Sequence, residues 1–211
     1  MPNPDTEQCP LCLAQGRAFF KQSFFICSQC RGIFRPKGDR PSPGKEKTRY
    51  ELHQNDIQDK GYRDFVSPVI TAVLKNQKPE HSGLDFGSGD EAVLSKICNE
   101  NGYHCKTYDP FFHNYPDLLN DSYDYIVCCE VIEHFHNPGK EFGLLKNLLK
   151  PSGNLYCMTH IYNKSIDFPS WYYKNDFTHV FFYQEDTFEW IRMNFGFTEM
   201  VSNGRLIHFK N

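Results

Sequence analysis

Four cysteines near the start of the chain are arranged as two C-x2-C pairs. Cys9 and Cys12 form the first pair, Cys27 and Cys30 form the second, and fourteen residues separate the pairs. Two thiolates three residues apart in a tight turn can chelate one metal ion, and two such turns complete a tetrahedral four-sulfur site that suits zinc. A chance pair of motifs, or redox thiols, is the alternative. We predict a structural Zn2+ ion bound by these four side chains.

The segment that carries these cysteines, 1–36, is predicted to be a zinc ribbon. The stretch 17–26 between the two pairs is aromatic and β-prone, which favours a hairpin. A unit of about 35 residues buries too little surface to fold alone, so the metal would supply the missing free energy. A Pro/Gly/Lys-rich segment, 37–48, is typical of a linker. A second domain is predicted over 49–211.

The formal net charge of −3 is distributed unevenly along the chain. Residues 1–49 carry +5 and the remainder carries −8. The basic head is either a solvated linker or a contact surface for nucleic acid or protein. We expect no signal peptide, because the first residues lack a basic segment followed by an apolar one. We also expect no membrane span, because no apolar stretch approaches about 20 residues, and therefore a cytoplasmic location.

Apolar β-prone segments alternate with helical patterns in the second domain. Strands are predicted at 83–86, 104–108, 123–131 and 154–159, and helices at 91–101, 141–149 and 184–194. An earlier helical pattern spans 62–74, with Pro68 at its start or at a kink and Ser67 as a possible cap. The tail, 197–209, reads as an antiparallel hairpin. This alternation predicts an α/β fold with a mostly parallel sheet and helices on both faces.

A glycine turn follows the first of these strands, at Asp85-Phe86-Gly87-Ser88-Gly89. Glycines at the switch point of a parallel sheet let the backbone approach a ligand closely. The pattern also fits a dinucleotide site, with Asp109 twenty residues beyond Gly89. Charge separates the two interpretations, because Asp85 would repel a pyrophosphate. The same carboxylate is compatible with the ammonium and sulfonium groups of S-adenosylmethionine (SAM).

Taken together, the motifs resemble those of class I SAM-dependent methyltransferases. The resemblance covers roughly 50–200 and rests on 84–89, 108–110, 124–135 and 149–155. It implies a Rossmann-like methyltransferase sheet with SAM as cofactor. The ribbon also resembles ribbons found ahead of such domains. Three features depart from the family pattern. Glu91 stands where a third glycine is common, and the acidic loop residue that usually holds the adenine amine has no clear match. The short stretch 110–122 also predicts a reduced third strand.

The resemblance implies where the cofactor would bind. Asp85 and Gly87 would lie near the methionine part of SAM and Asp109 at the ribose, with Glu130 beside the cofactor. A phenylalanine after Asp109 could pack on the adenine. Tyr50 and His53 resemble a segment that covers the cofactor, although they also fit ordinary helix-start positions. The predicted cofactor-binding set is Asp85, Gly87, Ser88, Gly89, Asp109, Pro110, Phe111, Glu130, Tyr50 and His53.

The acceptor side is predicted from two further segments. Methyl transfer needs alignment of the acceptor, and it needs a base only if the acceptor loses a proton. His134, His179 and Asp176 are the candidate catalytic residues. Helix capping by His134 and a plain bond between His179 and Asp176 are the alternatives. The candidate substrate-binding residues are Glu133, Trp171 and Tyr172, and an aromatic core is the alternative for Trp171.

The favoured function is methyl transfer to a small-molecule or metabolite-linked acceptor. A second hypothesis is an RNA or protein methyltransferase whose basic ribbon docks the substrate. A third is a non-catalytic zinc-ribbon interaction protein. A nicotinamide oxidoreductase is disfavoured by the charge of Asp85.

Overall fold

Two β-sheets organise the computed structural model, which describes residues 5–52 and 56–211. The strands are β1 (Thr6–Gln8), β2 (Gln15–Phe20), β3 (Phe24–Cys27), β4 (Ile33–Phe34), β5 (Ser82–Phe86), β6 (His104–Tyr108), β7 (Tyr123–Cys129), β8 (Leu149–Met158), β9 (Phe181–Phe182), β10 (Glu199–Asn203) and β11 (Leu206–Lys210). The helices are α1 (Pro43–Tyr50), α2 (Lys60–Asn76), α3 (Val93–Glu100), α4 (Pro138–Leu148) and α5 (Glu185–Phe195).

The large sheet has six strands in the order β10-β11-β8-β7-β5-β6. The last four are parallel, whereas β11 runs antiparallel to β8 and β10 antiparallel to β11. This confirms the predicted Rossmann-like α/β class and its closing hairpin. Among the described residues no strand lies beyond β6, where the chain instead forms a short 3-10 turn at Pro116–Asn120. The parallel order brings the carboxyl ends of β5, β6 and β7 to one edge.

Helices cover both faces of the large sheet. On one face α2 and α3 pack through residues such as Val69 and Leu94 against Tyr125 and Tyr156. On the other face α4 and α5 share a core with the opposite side of the same strands, where Phe142 and Phe188 are fully buried. Alternate residues of β7 therefore enter different cores, as the pleat requires.

The start of α2 differs from the prediction. The helix begins at Lys60, and its cap is Asp59, whose carboxylate accepts from the Gly61 amide over 2.8 Å. Pro68 lies inside the helix, and Ser67 donates to the Asp64 carbonyl rather than capping a terminus. A carboxylate at the N-terminus satisfies free amides, which explains why the helix begins eight residues before the proline.

The small sheet has the order β1-β2-β3-β4-β9 and is antiparallel throughout. Its fifth strand, β9, comes from far along the chain and pairs Phe181 with Phe34. The buried cysteines Cys9 and Cys27 belong to the same hydrophobic core as Phe142 and Phe181. The ribbon is thus packed into the remainder of the chain through a continuous apolar interior.

The segment after the ribbon is helical in its second half. A 3-10 turn spans Lys37–Asp39, and α1 then includes residues 43–48, which the sequence assigned to a linker. Along the described ranges, every helix is too short or too polar to cross a membrane.

Candidate functional site

A cavity of about 690 Å³ opens at the carboxyl ends of β5, β6 and β7. Its floor is the turn after β5, and its walls are the segments that follow β6 and β7. Helices α1 and α2 cover it with Tyr50, Tyr62 and Phe65. The volume is typical of small-molecule sites, and the position is where open α/β sheets bind ligands. Tyr62 and Phe65 were not predicted as site residues, because helical apolar spacing alone indicates core.

The turn after β5 has a backbone that favours glycine. Gly87 has a φ of +83° and Gly89 a φ of +67°, both in the left-handed region. A Cβ on Gly87 would lie 2.6 Å from a Val131 methyl carbon. The Gly87 amide donates to the Tyr108 carbonyl over 2.8 Å, and the Ser88 amide donates to the same oxygen over 3.2 Å. The turn is therefore fixed to the end of β6 and presents bare backbone to the cavity.

Asp109 organises the side of the cavity that borders the glycine turn. Its Oδ2 accepts from the Gly89 amide at 3.0 Å, and its Oδ1 accepts from the amides of Phe111 at 2.8 Å and Phe112 at 3.2 Å. A carboxylate has about four acceptor positions, so, counting the partners in 5–52 and 56–211, one position on Oδ2 remains for a ligand hydroxyl. Pro110 and Phe111 line the same wall. The carboxylate is thus both a structural clamp and a candidate ribose contact.

Asp85 lies beneath the turn and is not among the residues that line the cavity. Its side chain is buried, and its Oδ2 accepts from the Ser95 amide in α3 at 3.1 Å. Burial raises the pKa of Asp85 to about 7, although the Ser95 bonds oppose that rise. In this structure the residue holds α3 against the turn. Its predicted contact with the methionine part of SAM stays a prediction.

The roof of the cavity is α1, joined to its surroundings by polar contacts. Arg49 pairs with Asp176 over 2.8 Å, and Glu46 pairs with His136 over 3.0 Å. The Tyr50 ring lies 5.2 Å from the His134 ring and 5.7 Å from the Phe111 ring, measured between centroids. Tyr50 thus spans both walls. His53, predicted beside it, lies outside the described residues.

Two histidines meet on the opposite wall. His134 follows β7, and His179 belongs to the segment 168–180, which we call the acceptor loop; their ring centroids are 4.8 Å apart. His134 Nδ1 lies 3.0 Å from the Thr178 carbonyl, and His179 Nδ1 lies 2.7 Å from the Tyr173 carbonyl. A carbonyl only accepts, so each ring is assigned an N–H on Nδ1, and neutral His179 then carries its lone pair on Nε2. Burial, followed by the charge of His134, lowers the pKa of His179 to about 3.

Asp176 lines the cavity near these histidines but does not bond the His179 ring. Its Oδ1 accepts from the Thr178 amide at 3.0 Å and the Thr178 hydroxyl at 2.6 Å, and its Oδ2 faces Arg49. Burial alone would raise the pKa of Asp176, but the Thr178 bonds and the charges of His179 and Arg49 lower it to about 2. The carboxylate is therefore ionised and acts as the link between the acceptor loop and α1.

A pair of carboxyl groups lies behind the histidines. Glu133 is fully buried, and Glu130 borders the cavity. The Tyr173 hydroxyl lies 2.5 Å from Glu133 Oε1 and 3.2 Å from Glu130 Oε2. Glu130 Oε1 forms an ion pair of 2.7 Å with Arg205. Burial raises the pKa of both carboxyl groups, so this group holds a proton more readily than ordinary carboxylates.

Glu133 also faces the two histidines. One ligand-capable atom from each of Glu133, His134 and His179 lies within 4.8 Å of the other two. Glu133 Oε2 is buried without a hydrogen-bond partner among the described residues. Because the Glu133 carboxylate oxygen and the Nε2 of neutral His179 are acceptors, this corner of the site suits a group that brings protons or positive charge.

The structure brings most of the predicted residues to the cavity and leaves four elsewhere. Those that line it are Tyr50, Gly87, Ser88, Gly89, Asp109, Pro110, Phe111, Glu130, His134, Asp176 and His179. Besides Asp85 and Glu133, Trp171 and Tyr172 are not among the lining residues. Trp171 is buried in an aromatic cluster with Phe182, and Tyr172 is 64% exposed. Tyr173 and Arg205 were not predicted as site residues, since no spacing pattern connects them to Glu130.

The four ribbon cysteines converge on one point. The sulfurs of Cys9 and Cys30 are 3.5 Å apart, those of Cys12 and Cys27 are 3.3 Å apart, and all four lie within 4.8 Å of one another. A tetrahedral zinc ion with Zn–S bonds of about 2.3 Å separates its sulfurs by about 3.8 Å. The donor set and its size therefore fit one Zn2+ ion with no open coordination position.

Comparison with solved structures identifies the fold. A SAM-dependent methyltransferase from Archaeoglobus fulgidus is 16% identical, with a TM-score of 0.55 over 71% of this chain and 94% of its own. An O-methyltransferase family protein from Burkholderia thailandensis is 12% identical, with a TM-score of 0.54 over 82% of this chain and 64% of its own. At such low sequence identity, these similarities are evidence for the fold alone.

Comparison of sequences identifies the family. Among curated proteins, ubiquinone biosynthesis O-methyltransferases from Pasteurella multocida (strain Pm70) and Actinobacillus pleuropneumoniae serotype 5b (strain L20) are each 27% identical, over 100 and 95 residues. Each match covers 43% of this chain and 41% of the relative, so the chain matches about two fifths of their length. A family model described as a methyltransferase domain matches residues 58–202. The chain therefore belongs to the methyltransferase-domain family and has the fold of class I SAM-dependent methyltransferases.

Proposed function

We propose that this protein transfers a methyl group from SAM to a hydroxyl of a small-molecule or metabolite-linked acceptor. The observation that carries the proposal is one cavity with two chemically different sides. Gly87 and Asp109 form the first side, and His134 and His179 form the second. The first side has the features of a nucleoside site, and the second offers acceptors for a proton-bearing group.

The first side would hold the cofactor. The bare turn at Gly87–Gly89 offers close backbone approach, the remaining acceptor position of Asp109 suits a ribose hydroxyl, and Phe111 and Tyr50 offer aromatic faces. Bound SAM supplies a methyl group already activated by its sulfonium. The protein's task is to align the acceptor with that carbon and to exclude water. Helix α1, closed over the cavity, supports both tasks.

The second side would hold the acceptor and receive its proton. His179, with its lowered pKa, is a weak base, so we assign it the orientation of the acceptor hydroxyl through Nε2. Glu133 has a raised pKa and, within the part of the chain that the structure describes, an oxygen without a hydrogen-bond partner in the same corner. We assign proton storage to Glu133 and Glu130, which share the Tyr173 hydroxyl. The O-methyltransferase names of the curated relatives agree with a hydroxyl acceptor.

The alternative of a macromolecular substrate docked by a basic ribbon has less support. Arg35 and Arg40 direct their guanidinium groups to backbone carbonyls inside the protein, and Arg49 pairs with Asp176. These guanidinium groups are turned inward or paired, which leaves them less available to the phosphates of a polyanion.

The cofactor half can be tested by calorimetric titration with S-adenosylhomocysteine (SAH). We expect the zinc-loaded protein to bind SAH with a dissociation constant in the range of about 1–100 μM, typical of small-ligand sites. Asp109→Asn keeps the shape of the side chain but removes its charge and one acceptor oxygen. We expect it to weaken binding about tenfold or more, equivalent to about 1.4 kcal/mol.

The matched control is Asp117→Asn, the same change at an exposed aspartate beyond the cavity. It should bind SAH like the wild type. Absence of SAH binding by folded, zinc-loaded wild type would overturn the methyltransferase proposal and leave the non-catalytic interaction protein as the better account.

A further inference from the structure

Arg35, which directly follows β4 of the ribbon, reaches into the acceptor loop. Its Nε donates to the His179 carbonyl over 3.0 Å, and its Nη2 donates to the Lys174 carbonyl over 2.8 Å and lies 3.4 Å from the Asp176 carbonyl. Its backbone amide donates to the Val180 carbonyl over 2.9 Å. One ribbon residue therefore contacts the backbone at four positions of the loop that carries Asp176 and His179.

The acceptor loop has little regular structure to hold its own backbone. It contains two short 3-10 turns, Phe168–Ser170 and Tyr172–Asn175, so its following carbonyls need donors from elsewhere. The planar guanidinium offers several donors in a fixed fork and suits this role better than lysine. The Arg35 side chain is itself fixed, since its Cζ lies 4.5 Å from the centroid of the Phe24 ring.

The residues that follow the second cysteine pair pack against the segment directly after the acceptor loop. The Arg31 carbonyl accepts from Gln184 Nε2 over 2.5 Å. Gly32 lies against the Phe181 ring so closely that a Cβ would be 2.2 Å from Phe181 Cζ. From there β4 pairs with β9 and leads into Arg35. A metal ion bound by Cys27 and Cys30 therefore also holds in place the strand β4, which Arg35 directly follows.

We propose that Arg35 is a positioning residue for the acceptor site, and that zinc bound in the ribbon sets the conformation of the acceptor loop through it. Arg35 lies outside the cavity lining and acts through the backbone of Asp176 and His179. The ribbon thus supports the acceptor loop of its own chain from outside the cavity. The role of this loop in binding the acceptor rests on the proposed function. The coupling between the ribbon and the loop is independent of it.

The test is amide hydrogen exchange in the zinc-loaded full chain, comparing the wild type with Arg35→Ala. The reporters are the amides of Thr178, His179 and Val180, which donate to Asp176 Oδ1, the Asp176 carbonyl and the Glu133 carbonyl. We expect their exchange to accelerate about tenfold or more, while the Gly87 and Ser88 amides change less than about twofold. Zinc content should stay the same.

Arg17→Ala is the matched control, because it removes the same charge from an exposed position on β2 of the same ribbon. It should leave all five amides at wild-type rates. Unchanged exchange at 178–180 in Arg35→Ala overturns the proposal. If Arg35→Ala fails to fold, Arg35→Lys replaces it; a lysine cannot bridge several carbonyls, so the same amides should accelerate to a smaller extent.

A spectroscopic reading separates positioning from general destabilisation. In the wild type the 15N shifts of the His179 ring should report one dominant tautomer, with the proton on Nδ1 facing Tyr173. In Arg35→Ala the two nitrogen shifts should move toward each other as the tautomers mix. A merely less stable protein keeps the wild-type shifts in its folded state, and that result contradicts the proposal.

A separate experiment tests the role of zinc: a chelator removes zinc from the wild type in steps. Exchange at 178–180 should rise with the fraction of zinc removed, before exchange at Gly87 and Ser88 rises. A simultaneous rise at all sites means global unfolding and overturns the specific coupling. These readouts do not require SAM, so failure of the wild type to bind SAH would overturn the proposed function alone.

Discussion

The guanidinium of Arg49 lies 2.8 Å from the carboxylate of Asp176, and this contact joins α1 to the acceptor loop. The two side chains are 32% and 16% exposed, respectively, so the pair is partly shielded from water. Together with the contact between Glu46 and His136, it holds the roof of the cavity over the cofactor side. Ligand exchange therefore requires these contacts to open or the ligand to pass around them.

Replacing Arg49 should weaken the closure of α1. Arg49→Gln leaves Asp176 without its cation, and a partly buried pair of this kind contributes about 1 kcal/mol. We expect the dissociation constant of SAH to rise about fivefold, mainly through faster dissociation, as measured by stopped-flow displacement. Lys47→Gln removes a charge from the exposed face of the same helix and should leave dissociation unchanged. Equal rates for both variants would mean that the pair does not control closure.

Removing the Tyr173 hydroxyl should destabilise the protein in a pH-dependent way. Tyr173→Phe takes away the donor that serves Glu133 and Glu130, and an unsatisfied buried carboxyl group costs about 1–3 kcal/mol. The loss in free energy of unfolding should be larger at pH 8.5 than at pH 6, because the hydroxyl stabilises the ionised carboxylates. Urea denaturation at the two pH values measures it. Tyr172→Phe, at an exposed neighbour, should show neither effect.

Two glycines with nearly the same backbone angle allow strain to be separated from steric clash. Gly87 has a φ of +83° and Gly102 a φ of +81°, but only Gly87 faces a neighbour, Val131, closely. Alanine at either position carries a strain of about 1–2 kcal/mol. Gly87→Ala should cost about 1–3 kcal/mol more from overpacking and should weaken SAH binding, whereas Gly102→Ala should not affect binding. Equal destabilisation in urea would show that Val131 moves aside at little cost.

His179 should make the protein less stable as the pH falls below neutrality. Its pKa is lowered to about 3 in the folded state, whereas the unfolded chain takes up the proton near its ordinary pKa of about 6.5. The unfolded state therefore binds more protons between these values, and stability is lost as the pH falls from 6.5 toward 3. From pH 7.5 to 5.5 the loss from this group is about 1 kcal/mol.

The variant His179→Asn keeps a donor near the Tyr173 carbonyl but cannot titrate. Its free energy of unfolding should fall less than that of the wild type between pH 7.5 and 5.5, a range chosen because stronger acid protonates zinc-bound thiolates. His104→Asn removes an exposed histidine and should retain the wild-type slope. If His179→Asn loses as much stability as the wild type between pH 7.5 and 5.5, the pKa of His179 in the folded protein is not lowered.

The large sheet was predictable because its signals are local. The glycine turn follows an apolar strand, and β6 was predicted with the bounds that the structure gives, His104–Tyr108. The start of α2 was missed because the proline at 68 suggested a boundary, whereas the cap at Asp59 lies before the first apolar residue of the pattern. A single proline is a weaker signal than a cap whose side chain accepts a backbone amide.

The site was less predictable where it depends on long-range contacts. Arg35 stands at the edge of a Pro- and Lys-rich stretch, and its partners lie about 140 positions away. The strand β9 has two residues, too few to display an alternating pattern. The bond from the Ser95 amide of α3 to Asp85 was not predictable either, because it depends on how α3 packs against the turn.

The pairing of β9 with the ribbon bears on how this protein can be divided. A chain shortened to begin at residue 49 would retain the methyltransferase motifs but lose the strand that covers Phe181 and Phe182, which are 0% and 1% exposed in the intact protein. Its unpaired backbone edge, flanked by apolar rings, is the kind of surface through which proteins self-associate. The ribbon therefore covers an apolar edge of the family domain, and we expect a chain without it to self-associate.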